Sequence, residues 1–329
     1  MRSGWTSRCP PAAADVRTAP RDAKLASRGA GEGGVVRATD EAVEAFRRDG
    51  YVVVDGLLDG EELDRFGTAV DAAVARRKAA DTRTLGEKSR YEQSFLQCQN
   101  LWEDSPDVRP LTFHARLGEA AATLLGADAV RLWHDQALYK EPGGRETDAH
   151  LDQPYWPIAE ARTVTAWIPF DGVTLDGGCM GYVPGSHRLG LDRFVDIFSG
   201  GPDDLLEDPV LADRAPAFVA LPRGSVAFHH GLTAHLARPN RTDRVRRVHT
   251  VIYFADGCTR AAGGSHPSVD RAGIGAGEPI RSDVTPIAWP RPAGEALPEP
   301  PPPMPGARRL KRLGVLPGDP DEPADPKVT

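Results

Sequence analysis

The stretch TVTAWIPFDGVTLDGGCMGYVPGS at 163–186 contains two β-rich runs, and the residues between them are rich in Gly and Asp. Branched and aromatic residues favour strands, whereas Gly, Asp and Pro favour turns. The same texture extends on both sides of this stretch, from Gly126 to about residue 254. Strands are predicted near 129–140, 146–152, 163–170, 179–184, 217–221, 225–230 and 246–254. Many short strands with such punctuation are typical of an all-β sandwich or barrel.

Helical patterns precede this β-rich region. Residues 40–48 predict a short helix, and Asp59 followed by Glu62 three residues later resembles a capping box. Apolar residues at helical spacing then predict a helix over 60–79, and a further helical segment is predicted over 105–126. We therefore expect a mainly β protein with flanking helices, whose core is a double-stranded β-helix of the jelly-roll or cupin-like type.

Three regions are predicted along the chain. Residues 1–36 are polar, rich in Ala, Gly and Arg and without periodicity, which predicts a disordered leader. Residues 37–285 form the predicted domain, and the Pro-rich residues 286–329 are expected to form an irregular tail. Residues 188–216 interrupt the strands and carry apolar residues at helical spacing in an acidic surround, so we predict a helical insertion there.

Composition excludes several classes of partner. The net charge is -7 and no basic stripe is visible, so no nucleic-acid partner is predicted. No stretch approaches the roughly 18 apolar residues that a membrane helix needs, and no signal peptide is recognisable. The 4 cysteines show neither CxxC spacing nor the density of a disulfide framework, so free thiols and a cytoplasmic location are expected.

Residue types that bind metals occur in a characteristic pattern. Of the 9 histidines, only His150 has a carboxylate two positions later, at Asp152. Residues i and i+2 of a strand share a face, so this pair can present its ligand atoms together. A histidine from the downstream cluster 229–235 would complete a 2-His-1-carboxylate triad, which leaves coordination positions open. Arg246 follows, and its guanidinium suits a bidentate pair with a carboxylate of a bound diacid.

Six stretches carry a resemblance to a known family. They are FRRDGYVVVDGLLDGEEL (46–63), WHDQALYKEPGG (133–144), HLDQPYWP (150–157), TAWIPFDG (165–172), DGGCMGYVPGSHRLG (176–190) and HHGLTAHLARPNRTDRVRR (229–247). In this order they resemble the phytanoyl-CoA dioxygenase (PhyH-like) family of Fe(II)- and 2-oxoglutarate-dependent oxygenases. The resemblance covers about 40–285, and the joint occurrence of the stretches makes it specific.

The resemblance implies a cofactor set and residues that bind it. Fe(II), 2-oxoglutarate and O2 are expected, with His150, Asp152 and His235 as metal ligands that are also the catalytic residues. Arg246 takes the position of the arginine that holds the 2-oxoglutarate C5 carboxylate. Trp167 and Gln136 fall where the family lines the cosubstrate pocket.

The family chemistry implies a reaction type. We expect hydroxylation of an unactivated C–H bond of a small organic substrate, with release of succinate and CO2. The substrate is an acyl compound, an amino-acid-like compound or a natural-product intermediate. Halogenating relatives have a small residue in place of Asp152, so an aspartate favours hydroxylation or another oxidation such as desaturation. Two alternatives remain, a non-catalytic jelly-roll binding protein with a vestigial metal site and a Zn(II) hydrolase on the same ligands.

Neighbouring residues and the insertion yield further predictions. His229 and His230 are adjacent, so only one of them can face the interior of the barrel, and we favour His230. Arg247 is expected to form a surface ion pair. We predict that 188–216 closes over the substrate as a lid, with Phe194, Ile197 and Phe198 touching it. The alternative is that its apolar face packs permanently on the barrel wall.

Overall fold

The computed structural model describes residues 24–25, 38–198 and 204–302. The helices are α1 (Asp40–Asp49), α2 (Gly60–Lys78), α3 (Arg90–Ser94), α4 (Leu101–Asp104), α5 (Arg109–Thr112), α6 (Ala115–Leu125) and α7 (Pro267–Asp270). The strands are β1 (Lys24–Leu25), β2 (Tyr51–Val54), β3 (Leu96–Gln99), β4 (Val130–Lys140), β5 (Thr147–His150), β6 (Thr163–Pro169), β7 (Met180–Tyr182), β8 (Ala217–Val219), β9 (Val226–His230), β10 (His235–Ala237), β11 (Arg246–Ala255) and β12 (Ile287–Trp289).

The two long N-terminal helices begin and end where the sequence predicts. α1 ends at Gly50, whose φ of 80° is left-handed and suits glycine. At the start of α2, Asp59 Oδ1 accepts a hydrogen bond from the Glu62 backbone N–H at 2.8 Å, and the Glu62 carboxylate accepts one from the Asp59 N–H at 3.0 Å. The predicted capping box is therefore confirmed. The helical segment predicted over 105–126 is divided into the short helix α5 and the longer α6.

Two sheets form the core of the fold. The larger has the order β1-β2-β9-β6-β11-β4-β12, with β3 also paired to β4, and the smaller has the order β5-β10-β7-β8. All of these pairs are antiparallel except β1 with β2. One apolar cluster joins the sheets, and within it the Tyr51 and Tyr182 rings stack with centroids 4.5 Å apart. α1, α2 and α6 pack on the other face of the larger sheet. The predicted jelly-roll core with flanking helices is confirmed.

The insertion at 188–216 differs from its prediction, because its described residues, 188–198 and 204–216, contain no α-helix. They form short 3₁₀ turns, and Asp204 and Asp208 each accept a hydrogen bond from the N–H two residues ahead. Pro209 also disfavours helical geometry at Asp208. Val195 and other buried apolar side chains instead pack on the smaller sheet. Local turn chemistry and burial thus override the helical spacing.

The predicted leader and tail both contribute a short strand. Residues 24–25 pair in parallel with β2, and Ile287–Trp289 pairs with β4. The Trp289 Cβ lies so close to Gly118 of α6 that a Cβ on that glycine would be 2.7 Å away. The start of the tail is therefore packed structure rather than irregular chain, while the three-region division itself stays a prediction. The rest of the leader, and 303–329, lie outside the described residues. No helix in the described part of the chain is long and apolar enough to cross a membrane.

Candidate metal centre and its cavity

Three predicted ligands meet on the smaller sheet. His150 is the last residue of β5 and His235 the first of β10, and they are cross-strand partners with ring centroids 4.2 Å apart. The Asp152 Oδ1 atom lies 3.8 Å from His150 Nε2 and 3.7 Å from His235 Nε2. The three ligand atoms all lie within 4.8 Å of one another, so these residues could hold a single metal ion. The side chains of His150, Asp152 and His235 are together called the metal cluster.

Asp152 reaches this position by a different route from the one expected. β5 ends at His150, and Asp152 precedes a 3₁₀ turn over Gln153–Tyr155 with φ -75° and ψ -43°. The Gln153 N–H donates to the Gly231 carbonyl at 2.9 Å, which ties this turn to the chain leading into β10. The carboxylate is therefore beside His150 because the chain turns there, not because the two residues alternate along one strand.

Backbone carbonyls fix the orientation of both imidazoles. Nδ1 of His150 lies 2.9 Å from the Asp148 carbonyl, and Nδ1 of His235 lies 2.9 Å from the Thr233 carbonyl. A carbonyl oxygen only accepts, so each Nδ1 carries the proton and each Nε2 lone pair is free for a metal. Burial lowers the pKa of both histidines, which favours the neutral form that ligates metals.

The second carboxylate oxygen of Asp152 is held by two side chains. His229 Nε2 lies 3.1 Å from Asp152 Oδ2, and Thr165 Oγ1 donates to the same atom at 3.0 Å. Burial alone would raise the pKa of Asp152, but interactions with His235 and His229 outweigh it and keep the pKa below its ordinary value. The carboxylate therefore stays ionised, with Oδ1 turned toward the two Nε2 atoms.

The preference for His230 over His229 was wrong. His229 is the cross-strand partner of Thr165, and both side chains face the metal cluster. His230 faces the opposite side, where its Nε2 hydrogen-bonds the Ala161 carbonyl at 2.9 Å and its ring lies near Phe46. The expectation that only one of the pair faces inward is confirmed.

A cavity of about 340 Å³ opens beside the metal cluster, and all six predicted site residues line it. Arg246 is the buried cation in its wall. Its Nη1 donates to the Gly178 carbonyl at 2.7 Å, and its guanidinium lies 5.4 Å from the centre of the Trp167 ring. Burial lowers the Arg246 pKa to about 10, which still leaves it charged at neutral pH.

No carboxylate within the described ranges pairs with Arg246, and its Nε atom has no hydrogen-bond partner there. A buried charge is costly unless an opposite charge offsets it, so this guanidinium suits an anionic ligand. Arg247 points the other way and pairs with Asp171 at 2.6 Å and with Asp71, which confirms its surface ion pair.

Gln136 lies on the same side of the cavity as Trp167, because both are cross-strand partners of Thr250. Its Oε1 accepts hydrogen bonds from the Nε2 atoms of Gln97 and Gln99. The chain thus brings together the metal cluster, an amide and a guanidinium that has no carboxylate partner among the described residues, which fits a metal-bound keto acid with a distal carboxylate.

Further residues of the cavity wall carried no recognised functional signal in the sequence. His134 and His266 line it, as do Tyr91, Phe95 and Gln97 from the segment between α2 and β4. Asp135 faces away from His134 and accepts from the Trp102 N–H and the Thr112 hydroxyl, so the two adjacent side chains diverge. None of these positions has a spacing that marks it in a single sequence.

A jelly roll that carries two histidines and a carboxylate beside a buried arginine is the arrangement of non-haem iron oxygenases that use 2-oxoglutarate. The family model "Phytanoyl-CoA dioxygenase (PhyH)" matches residues 46–248, which is more than half of the chain. The chain belongs to this family.

One sequence relative and two solved structures support the assignment to this family. The dioxygenase lolE1 of Epichloe uncinata is 30% identical over 233 residues, covering 66% of this chain and 82% of the relative. The structure of the α-ketoglutarate-dependent carbocyclase SnoK from nogalamycin biosynthesis has 30% identity and a TM-score of 0.63, covering 76% of this chain and 96% of that one. The epimerase SnoN, solved with Fe3+, α-ketoglutarate and nogalamycin RO, has 26% identity and a TM-score of 0.60, covering 75% and 96%.

The protein is therefore a 2-oxoglutarate-dependent non-haem iron oxygenase. It uses Fe(II), 2-oxoglutarate and O2, as the resemblance implied, and it acts on a small molecule.

Proposed function

We propose that His150, Asp152 and His235 bind one Fe(II) and that Arg246, with Trp167 and Gln136, binds 2-oxoglutarate. We further propose that the protein hydroxylates an unactivated C–H bond of a small organic substrate and releases succinate and CO2. The observation that carries the proposal is the buried Arg246 guanidinium, which has no carboxylate partner in the described part of the chain and lines the same cavity as the metal cluster.

Each residue has a role that follows from its contacts. His150 and His235 offer Nε2 because their Nδ1 protons are held by carbonyls, and Asp152 offers Oδ1 because Oδ2 is held by its neighbours. Bound Fe(II), with 2-oxoglutarate and O2, supplies the oxidation that replaces a C–H bond by a C–O bond. Arg246 binds the distal carboxylate of 2-oxoglutarate, the Trp167 ring forms a wall beside its chain, and the Gln136 amide donates to one of its oxygens.

Other oxidative outcomes are the second candidate. Two solved relatives are a carbocyclase and an epimerase, and the carbocyclase is 30% identical to this chain. Both outcomes share the metal and cosubstrate residues proposed here. The carboxylate at Asp152 supports an oxygenase rather than a halogenase, because it occupies the position that a halide would take.

Turnover with defined metals tests the function against the Zn(II) hydrolase and the vestigial binding protein. We expect anaerobic protein loaded with Fe(II) and 2-oxoglutarate to form succinate and CO2 once O2 is admitted, slowly without substrate. Zn(II)-loaded protein should form none. Succinate is measured by chromatography and CO2 from 1-labelled 2-oxoglutarate. A protein that binds Fe(II) yet forms no succinate, or that hydrolyses esters with Zn(II) alone, would contradict the proposal.

Phe198 tests whether the insertion contributes to the substrate site. Ile197 and Phe198 line the cavity, whereas Phe194 contacts Tyr155 with ring centroids 4.9 Å apart. Phe198 is 48% exposed, so Phe198→Ala should hardly change the melting temperature. Uncoupled 2-oxoglutarate decarboxylation should persist in the variant, while substrate-stimulated turnover falls.

The matched control is Leu205→Ala in the same insertion. Leu205 is fully buried against the smaller sheet, and its truncation should cost about 2–5 kcal/mol of unfolding free energy. A large loss of stability in Phe198→Ala, with unchanged kinetics in the folded fraction, would instead assign Phe198 to permanent packing. Thermal denaturation followed by circular dichroism separates the two results.

A further inference from the structure

The wall of the cavity is almost free of charge. Apart from Asp152 and Arg246, no Asp, Glu, Lys or Arg among the described residues lines it. The other polar groups are amides, hydroxyls and imidazoles, with Gln97 and Thr250 among them. We infer that the part of the substrate that enters this cavity is uncharged, flat and of more than one ring, with hydroxyl or carbonyl oxygens. The inference rests on the proposed function, because that function requires the reacting group of the substrate to point toward the metal cluster.

The charges of the loaded site balance without a substrate. The two positive charges of Fe(II) and the one of Arg246 equal the single charge of Asp152 and the two carboxylates of 2-oxoglutarate. A phosphate, carboxylate or similar anion on the substrate would add an uncompensated charge in a buried space, which is strongly unfavourable. Lys140 does not line the cavity, because its Nζ donates to the Arg145 and Arg238 carbonyls.

Two histidines supply neutral hydrogen-bonding groups at the wall. The His134 and His266 rings lie 5.7 Å apart and nearly parallel, and His266 also stacks on Trp133 at 4.5 Å. His266 Nδ1 accepts the Ser268 N–H at 3.2 Å, so its Nε2 carries the proton and is a donor. Burial lowers the pKa of His134 to about 4 and holds the pKa of His266 well below its ordinary value, so both are neutral at neutral pH. Neutral imidazoles suit hydroxyl or carbonyl oxygens.

Aromatic rings form another part of the cavity wall. Tyr91 contacts Phe95 with centroids 5.0 Å apart and Phe198 at 4.6 Å, and Phe198 approaches Tyr155 at 5.8 Å. Aromatic side chains prefer offset or edge-to-face contact with other rings, so these walls favour a planar molecule over a flexible chain.

A second cavity of about 300 Å³ adjoins the first and shares Tyr91, Phe95, Gln97 and Phe198 with it. The combined space exceeds what a single ring would fill. The wall of the second cavity carries several ionised side chains, and Lys78 is one of them. Apart from Asp152 and Arg246, ionised side chains therefore line the second cavity and not the first, among the described residues.

A matched pair of probes tests the inference by equilibrium dialysis against anaerobic protein with Fe(II) and 2-oxoglutarate. Methyl 1-hydroxy-2-naphthoate should bind at least tenfold more tightly than 1-hydroxy-2-naphthoate, and more tightly than methyl decanoate, which is uncharged but flexible. Equal or tighter binding of the acid, no binding of the aromatic ester, or equal binding of methyl decanoate would each overturn it.

Two variants show whether the cavity wall determines the preference for the uncharged ester over the acid. Gln97→Lys places a cation in the first cavity and should shift the ester-to-acid ratio at least tenfold toward the acid, whereas Lys78→Gln in the second cavity should leave it unchanged. An unshifted ratio in folded Gln97→Lys, or a shifted one in Lys78→Gln, would count against the inference. Dialysis is repeated with metal-free protein, and succinate formation is assayed in parallel. If no succinate forms, the proposed function is rejected but the inference about the substrate is not, because the ester-to-acid binding ratio tests the cavity wall without turnover.

Discussion

His235→Ala is expected to abolish stoichiometric Fe(II) binding and, with it, succinate formation. His235 supplies one of three ligand atoms, and its Nε2 lies 3.7 Å from Asp152 Oδ1 in a buried position. Loss of residues that only support a ligand commonly costs about 10–100-fold in metal affinity, so loss of the ligand itself should exceed that. Anaerobic titration with Fe(II), followed by metal analysis of the desalted protein, measures the effect.

The matched control is His230→Asn, a histidine change five residues earlier in the chain. His230 faces away from the cluster and bonds the Ala161 carbonyl, so its replacement should leave iron binding intact. Circular dichroism of both variants confirms that each is folded. Wild-type iron content in His235→Ala would mean that the metal is bound elsewhere.

The jelly-roll class could be predicted because its longest strands, β4, β6 and β11, are rich in branched and aromatic residues and are separated by residues that favour turns. β10 escaped prediction because it has three residues, His235–Ala237, and its place is set by pairing with β5 and β7. The sequence also showed that His229 and His230 must face opposite ways. It could not show which one faces inward, because pairing with β6 decides that.

Local patterns misled where burial or a turn competes with them. The apolar spacing within 188–216 suggested a helix. Asp208 is instead extended and a new 3₁₀ turn begins at Pro209, while the buried side chains pack on the smaller sheet. The prediction that Asp152 lies beside His150 was correct, but it assumed that both residues belong to one strand. The strand ends at His150, and a turn brings Asp152 to its place.

The substrate end of the cavity could not be predicted at all. Tyr91 precedes the barrel, and His266 follows its last long strand, β11. Only the fold brings the two residues to one cavity, and neither has a local pattern in the sequence. The proposed metal ligands were recognisable because their chemistry restricts residue type and spacing, whereas the proposed neutral substrate wall imposes no such restriction.

Arg246→Leu is expected to weaken 2-oxoglutarate binding while leaving iron bound. Arg246 is buried and makes hydrogen bonds to the carbonyls of Gly178 and Leu138, with no protein carboxylate paired to it within the described ranges. A charge-assisted pair contributes roughly 1.5–3 kcal/mol, so the dissociation constant should rise tenfold to a few hundredfold. Arg246→Lys keeps the charge but loses the bidentate geometry and should fall between wild type and Arg246→Leu. Titration of the visible absorption of the anaerobic Fe(II) and 2-oxoglutarate complex gives the three constants.

Arg247→Leu is the matched control, because it removes the same side chain from the next residue of β11. Arg247 pairs with Asp171 and Asp71 at the surface, and its side chain is 30% exposed. Such pairs contribute about 0–1 kcal/mol to stability, so the control should keep wild-type 2-oxoglutarate affinity and lose little stability. If Arg247→Leu weakens cosubstrate binding and Arg246→Leu does not, then the guanidinium that faces the cavity serves packing, and the diacid is bound by other residues. The two variants differ only in which face of one strand loses its charge, so a difference in affinity between them reports on the cavity itself.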